Sequence, residues 1–203
     1  MINNNYIVLE GIDTAGKSTQ FDILKEKLNN AIFTKEPGGT KIGLEIREMV
    51  LTGRFKSEIA TMLMFLADRA EHIEEVIKPN LIKEDKIVVS DRSLISGIAY
   101  AIIANPNLTI EKLIELNLIA TSEILPQKII LLKLTKDELE YRLSQKENDA
   151  IESKGLDYLI DIQDKLEQTI KLLHKSNGIE YLFIDAKQDI QTISKEIKEF
   201  LNV

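Results

Sequence analysis

Residues 11–18 read Gly11-Ile12-Asp13-Thr14-Ala15-Gly16-Lys17-Ser18, a full match to the phosphate-loop pattern G-x-x-x-x-G-K-[ST]. The stretch directly follows an apolar run, Tyr6-Ile7-Val8-Leu9, and opens a helical pattern from Ser18 to Leu28. That context carries the physics. Glycines let the backbone turn its N–H groups inward at phosphate oxygens, and the helix behind presents its positive N-terminus to the same anion. Background frequencies put a chance match in a chain of this length at about one in a hundred, before the flanking strand and helix are required. In such a loop Lys17 reaches the β- and γ-phosphates and the Ser18 hydroxyl ligates Mg²⁺. The expected ATP cradle is Gly11, Ile12, Asp13, Thr14, Ala15, Gly16, Lys17, Ser18 and Thr19.

Outward from this loop, apolar runs suited to strands alternate with longer helical patterns. The strand candidates are Tyr6–Leu9, Ala31–Thr34, Ile87–Ser90, Ile129–Leu132 and Tyr181–Ile184. Several are continuously apolar, as strands buried on both faces of a parallel sheet are. The clearest helical period is Ile59, Leu63, Leu66, Ala70, Ile73 and Ile77, with Glu71, Glu74 and Glu75 on other faces. Such alternation predicts right-handed crossovers and an α/β fold, a parallel sheet covered by helices.

The composition fits one domain. The chain has 203 residues, of which 44% are hydrophobic and 29% charged, which excludes a disordered chain or a fibrous repeat. The longest nearly uncharged stretch, Leu94 to Asn105, is far short of the about 20 apolar residues a bilayer span needs. No basic residue precedes the first apolar run, so no secretory signal is visible and a cytoplasmic location is expected. There is no cysteine, which excludes disulfides, zinc–thiolate sites and thiol catalysis. The net charge of −7 and the absence of a long Lys/Arg run argue against a nucleic-acid polymer as partner. Residues 146–154 are mostly polar and interrupt two helical patterns; they are expected to be a short lid within a single domain spanning 1–203.

The Asn-Lys-x-Asp guanine motif of signalling GTPases does not occur, and motor or transporter ATPases are normally larger. A small-molecule kinase is the expected class. Three further motifs narrow it: Thr34-Lys35-Glu36-Pro37-Gly38-Gly39-Thr40, Phe65-Leu66-Ala67-Asp68-Arg69-Ala70, and Ser90-Asp91-Arg92-Ser93-Leu94-Ile95-Ser96-Gly97-Ile98-Ala99-Tyr100. Phe65 and Arg69 are four apart and share a helix face, a ring to stack on beside a planar donor fork. Spacing alone favours a core phenylalanine beside a surface ion pair.

With these motifs in order, the chain resembles the bacterial thymidylate (dTMP) kinase family from Tyr6 to about Leu201. The resemblance implies a three-layer P-loop kinase fold, a five-stranded parallel sheet flanked by helices, usually in a homodimer. It implies transfer of the γ-phosphoryl of ATP to dTMP, with Mg²⁺. By the same resemblance Phe65 stacks on thymine and Arg69 hydrogen-bonds it, while Glu36 and Pro37 belong to the substrate loop. Arg47 binds the acceptor phosphate, Asp91 lies near Mg²⁺, and Arg92 stands between donor and acceptor phosphates. Asp13 faces the acceptor side, Tyr100 (with Ser96 on its helix face) borders the deoxyribose, and Arg142 lies against the ATP base.

The departures from the family are specific. Many members have a polar residue at the position of Gly97 and a glutamine at that of Ala101, both reaching the thymine edge; here neither side chain can hydrogen-bond. The family's D-R-x-E lid reads Asp149-Ala150-Ile151-Glu152, and the loop positions Ile12 to Ala15 hold no arginine. Lys146 is therefore the expected catalytic cation over the transferred phosphoryl, alongside Asp13, Lys17 and Arg92, with Lys154 in reserve. Two alternatives stay open: a P-loop kinase of another acceptor, and a nucleotide-binding regulator without turnover. His72 and His174 are lone histidines in helical segments, and the apolar stripe from Ile110 to Ile124 is expected to be core or dimer surface.

Overall fold

The computed structural model describes residues 5–83, 86–145 and 155–203. The strands are β1 (Tyr6–Glu10), β2 (Ala31–Lys35), β3 (Ile87–Asp91), β4 (Lys128–Lys133) and β5 (Glu180–Asp185). They form one parallel sheet in the order β2-β3-β1-β4-β5. Each contains the apolar run expected of it, extended by a residue or two to the polar ends where the ladder closes.

The order places the site. From β1 the chain runs out to β2, returns to β3 beside β1, and then crosses to β4 on the opposite side. The crevice at this reversal, outside the carboxyl ends of the strands, is where open α/β sheets bind ligands. Leu9 pairs with Asp91, and Lys35 pairs with Asp91 from the other side, so three loops leave the sheet at one level.

The helices are α1 (Lys17–Lys27), α2 (Lys41–Leu51), α3 (Glu58–His72), α4 (Lys78–Leu81), α5 (Leu94–Ala104), α6 (Ile110–Ala120), α7 (Lys136–Ser144), α8 (Leu156–Asn177) and α9 (Ile190–Leu201). Many start at side-chain caps: the hydroxyls of Thr40, Ser57, Ser93, Thr109 and Thr135 and the Asp189 carboxylate accept backbone N–H groups of the first turn. α8 ends on Gly178 in the left-handed conformation, the geometry that stops a helix without steric cost. Its Leu159, Ile162, Leu166, Ile170 and Leu173 repeat at three- and four-residue spacing and are fully buried with Ile129 to Leu132 of β4. Each such side chain contributes about 1.5–3 kcal/mol by leaving water.

One expectation needs correction. The stripe from Ile59 to Ile77 does not face the core as one helix surface. α3 stops at His72, and Ile73–Ile77 form a π-helical turn before α4. Ile59 and Leu63 are exposed, and the buried face of α3 is instead Met62, Asp68, Arg69 and His72. Beyond the turn, Ile73 and Ile77 do join a small core with Tyr6, Val8, Leu81 and Val88. The expected lid, 146–154, lies outside the described residues. Among the described residues no helix is long and apolar enough to cross a membrane.

Candidate active site

The phosphate loop leaves β1 at Glu10 and enters α1 at Lys17. A side chain at Gly11 would put its Cβ 2.9 Å from the Leu132 carbonyl, so only glycine lets β1 turn this close to β4. Thr14 and Arg92 both adopt φ 68°, a region L-residues with side chains seldom enter and that clusters at functional sites. The Lys17 ammonium is folded across the loop, donating to the carbonyls of Gly11 (2.9 Å) and Ile12 (3.1 Å). Burial, and then the neighbouring Arg92 charge, lower its pKa to about 8. Ser18 and Thr19 follow it, exposed, on the first turn of α1.

Arg92 reaches into the same loop from the end of β3. Its Nη1 donates to the Gly11 carbonyl and to the Ser96 hydroxyl, both at 3.0 Å, and its Nη2 donates to Asp13 Oδ1 at 2.6 Å. The Ser96 hydroxyl in turn donates to Glu10 Oε2 at 2.5 Å, and Ser93 donates to Glu10 Oε1 at 2.9 Å. Glu10 is thus a fully buried carboxylate beneath the loop. Burial raises its pKa, while the charge of Arg92 and the serine hydrogen bonds pull the other way. Tyr100, one turn beyond Ser96 on α5, has its phenol pushed up to about 12, chiefly by burial.

Asp91 ends β3. Its Oδ1 is buried and has no hydrogen-bond partner among the described residues. Asp91 and Ser18 line one cavity of about 440 Å³ with Lys35, Gly38 and Gly39. A carboxylate oxygen without a partner, a hydroxyl and room for phosphates fit Mg²⁺, which takes one or two protein oxygens and completes its shell with phosphate and water. Among the described residues no group of three or more His, Cys, Asp or Glu could hold a metal unaided.

The loop after β2 is strapped down by α3. Glu36 is buried and accepts from Arg69 Nε (2.8 Å) and His72 Nδ1 (2.9 Å), so Nδ1 is the protonated ring nitrogen. Burial pushes the Glu36 carboxyl up, but the Arg69 charge and the His72 hydrogen bond outweigh it and hold its pKa below the usual range. His72 Nε2 lies 2.6 Å from the Thr34 hydroxyl. Asp68 accepts from the Gly38 N–H at 3.0 Å, and Arg47 on α2 donates to the Pro37 carbonyl at 2.9 Å. The Glu36–Pro37 peptide is cis. Arg69 Nη1 donates to Asn117 Oδ1 on α6 at 2.6 Å. Phe65, one turn before Arg69, is half-buried.

Arg142 on α7 pairs with Glu138 and donates to the carbonyls of Thr14 (3.0 Å) and Ala186 (2.6 Å), bridging the phosphate loop and the loop after β5. The expected site residues thus fall into connected groups. Lys17, Asp13, Arg92 and Ser96 surround Gly11; Ser18 and Asp91 share the cavity; Glu36, Pro37, Arg47 and Arg69 share the strapped loop. Lys146 and Lys154 lie outside the described residues.

Glu10, His72 and Asn117 went unassigned in the sequence. Glu10 had one signal, a carboxylate closing an otherwise apolar strand. Asn117 had another, an amide at core phase with Leu113 within an apolar stripe. Nothing local distinguished His72 from a solvated histidine.

This geometry meets its relatives in a family model, Thymidylate kinase, that matches residues 9–197. A thymidylate kinase of Aliarcobacter butzleri is 59% identical over 198 residues, covering 98% of this chain and 99% of that protein. One from Sulfurimonas denitrificans is 52% identical, covering 98% and 100%. The crystal structure of thymidylate kinase from Ehrlichia chaffeensis superposes with a TM-score of 0.73 at 26% identity, over 99% of this chain and all of that one. Sequence motifs, strand order and full-length similarity agree, and the chain belongs to the thymidylate kinase family.

Proposed function

We propose that this chain transfers the γ-phosphoryl of ATP to the phosphate of dTMP, giving ADP and dTDP, with its own residues acting as follows. One observation carries the assignment of roles. Lys17 Nζ and Arg92 Nη1 both donate to the Gly11 carbonyl, so a cation from the donor loop and a cation from the end of β3 converge on one point. Phosphoryl transfer asks little covalent chemistry of a protein; it asks for positioning and for charge opposite the transferring oxygens.

The loop N–H groups and Lys17 hold the β- and γ-phosphates, and Arg142 flanks the ATP base. Glu36, Pro37, Phe65 and Arg69 hold the thymine side, Arg47 the acceptor phosphate, and Tyr100 with Ser96 the sugar. Arg92, aimed by Asp13 and by the Ser96–Glu10 bonds, lies where both phosphates meet. A phosphate oxygen of dTMP attacks the γ-phosphorus and the bond to the β–γ bridging oxygen breaks. With a second phosphate pKa near 6, the acceptor is already a dianion at neutral pH and needs no general base. Ser18 and Asp91 are the residues that would hold Mg²⁺, whose charge would offset that of the β- and γ-oxygens. Lys146 supplies the remaining cation over the transferred group; Lys146→Ala should lower kcat at least about tenfold with dTMP KM nearly unchanged.

A homodimer in the cytoplasm, a single kinase domain per chain, belongs to the same reading. Exposed Leu44, Leu51, Ile59 and Leu63 on neighbouring α2 and α3 support a covered face there.

Steady-state kinetics of two variants test the division of labour. Lys17→Ala should lose most of its kcat at saturating ATP while keeping its fold. Arg69→Ala should raise dTMP KM strongly and leave ATP KM alone. Near-native kcat in the first, or parallel changes for both substrates in the second, would overturn the assignment.

A further inference from the structure

Neither Gly97 nor Ala101 carries a polar side chain, and the space over Gly97 is taken by Arg69. A Cβ on Gly97 would stand 2.8 Å from Arg69 Nη2, 3.1 Å from Nη1 and 3.4 Å from Cζ. The guanidinium therefore lies directly on the bare backbone of α5. Its Nε is held by Glu36 and its Nη1 by Asn117, whose own Nδ2 is anchored to the Leu113 carbonyl at 2.7 Å. That anchor fixes which end of the amide faces Arg69, because only the oxygen can accept from a guanidinium. Nη2 makes no hydrogen bond among the described residues.

We propose that Gly97 and Asn117 set the selectivity for the acceptor base, by clamping Arg69 so that its Nη2 edge is a fixed probe for a pyrimidine 4-oxo group. The proposal rests on the reading above that Arg69 faces the acceptor base. A guanidinium only donates, so it pairs with a 4-oxo oxygen and meets a 4-amino group donor to donor. A loosely held arginine could swing away from that conflict. One pinned by Glu36, Asn117 and the α5 backbone cannot, and an unrelieved polar mismatch in a desolvated site discriminates more strongly than a methyl group does. Asn117 is a positioning residue here: it touches Arg69, not the substrate. Gly97 does its part by being small.

The test compares wild type, Gly97→Ala, Asn117→Ala and Arg69→Ala for KM and kcat with dTMP and dCMP, KM for ATP, and Tm. Gly97→Ala should raise dTMP KM about tenfold or more, the scale of one charge-assisted hydrogen bond. Its ATP KM should stay put, while its Tm reports what displacing the guanidinium costs the bonds to Glu36 and Asn117. Asn117→Ala should raise dTMP KM and narrow the preference for dTMP over dCMP. If both variants keep wild-type dTMP KM and base preference while Arg69→Ala loses them, the clamp is overturned and the acceptor reading stands. If Arg69→Ala also matches wild type, the acceptor reading falls and the proposal with it. Wild type using dCMP as well as dTMP overturns the proposal directly. Should Asn117→Ala fail to fold, Gly97→Ala decides.

Discussion

Lys17 is a charged group in a place that disfavours charge, with its pKa lowered to about 8 by burial first and by Arg92 second. The sign of the linkage follows. A folded-state pKa below the unfolded one, about 10.4, means the ammonium costs stability at neutral pH, and the cost is relieved as pH rises from about 8 toward 10. A polyphosphate beside Lys17 restores the charge, so ATP binding near pH 8 should take up a proton. Calorimetric titrations in buffers of different ionisation enthalpy should differ at pH 8; buffer-independent heats there would contradict this. Lys17 was legible in the sequence because its neighbours in the motif are its neighbours in space. Glu10, His72 and Asn117 were not, because their partners are Ser96, Glu36 and Arg69, dozens of positions away. A local pattern cannot show which buried carboxylate a distant helix will meet.

At the scale of elements, the loop after β2 owes its shape to α3. Glu36 lies between Arg69 and His72, and removing its charge leaves Arg69 buried without a counter-ion. Glu36→Gln should therefore destabilise the fold by about 3–5 kcal/mol in urea, the cost of breaking a buried pair from one side. Because the Glu36 pKa is held below its ordinary value, its stabilisation is present above the usual carboxylate range and is lost as pH falls below about 4 through the folded-state value. The variant's stability should be flatter in that window; an unchanged acid profile would remove Glu36 from the account. Against β4, Leu166→Ala should cost about 2–5 kcal/mol, since that face of α8 is fully buried. The strand runs were readable because they are short and rich in β-branched and aromatic residues, which decides for strand over buried helix. The stripe of α3 was not. Its period correctly gave a helix, but the face that turned inward carries Asp68, Arg69 and His72, whose burial depends on pairing with a loop rather than on apolarity.

For the whole molecule, alternating strands and helices were enough to give the sheet and the crevice at its reversal. Which apolar face stays exposed was not, because Leu44, Leu51, Ile59 and Leu63 look in sequence like any core residues. If α2 and α3 form the dimer face, light scattering should give twice the chain mass, and Leu63→Glu should give the single chain with the fold retained; a wild-type monomer would contradict it. The central claim, that this fold phosphorylates dTMP, is tested most directly by initial rates of ADP release from MgATP with dTMP, dUMP, dCMP, dGMP and thymidine in turn. The account predicts dTMP as the best acceptor, with dTDP as product. It predicts dUMP slower by about 10–200-fold, the worth of one methyl group, and little turnover with the others. Thymidine or dGMP outrunning dTMP, or no acceptor stimulating ADP release, would contradict it.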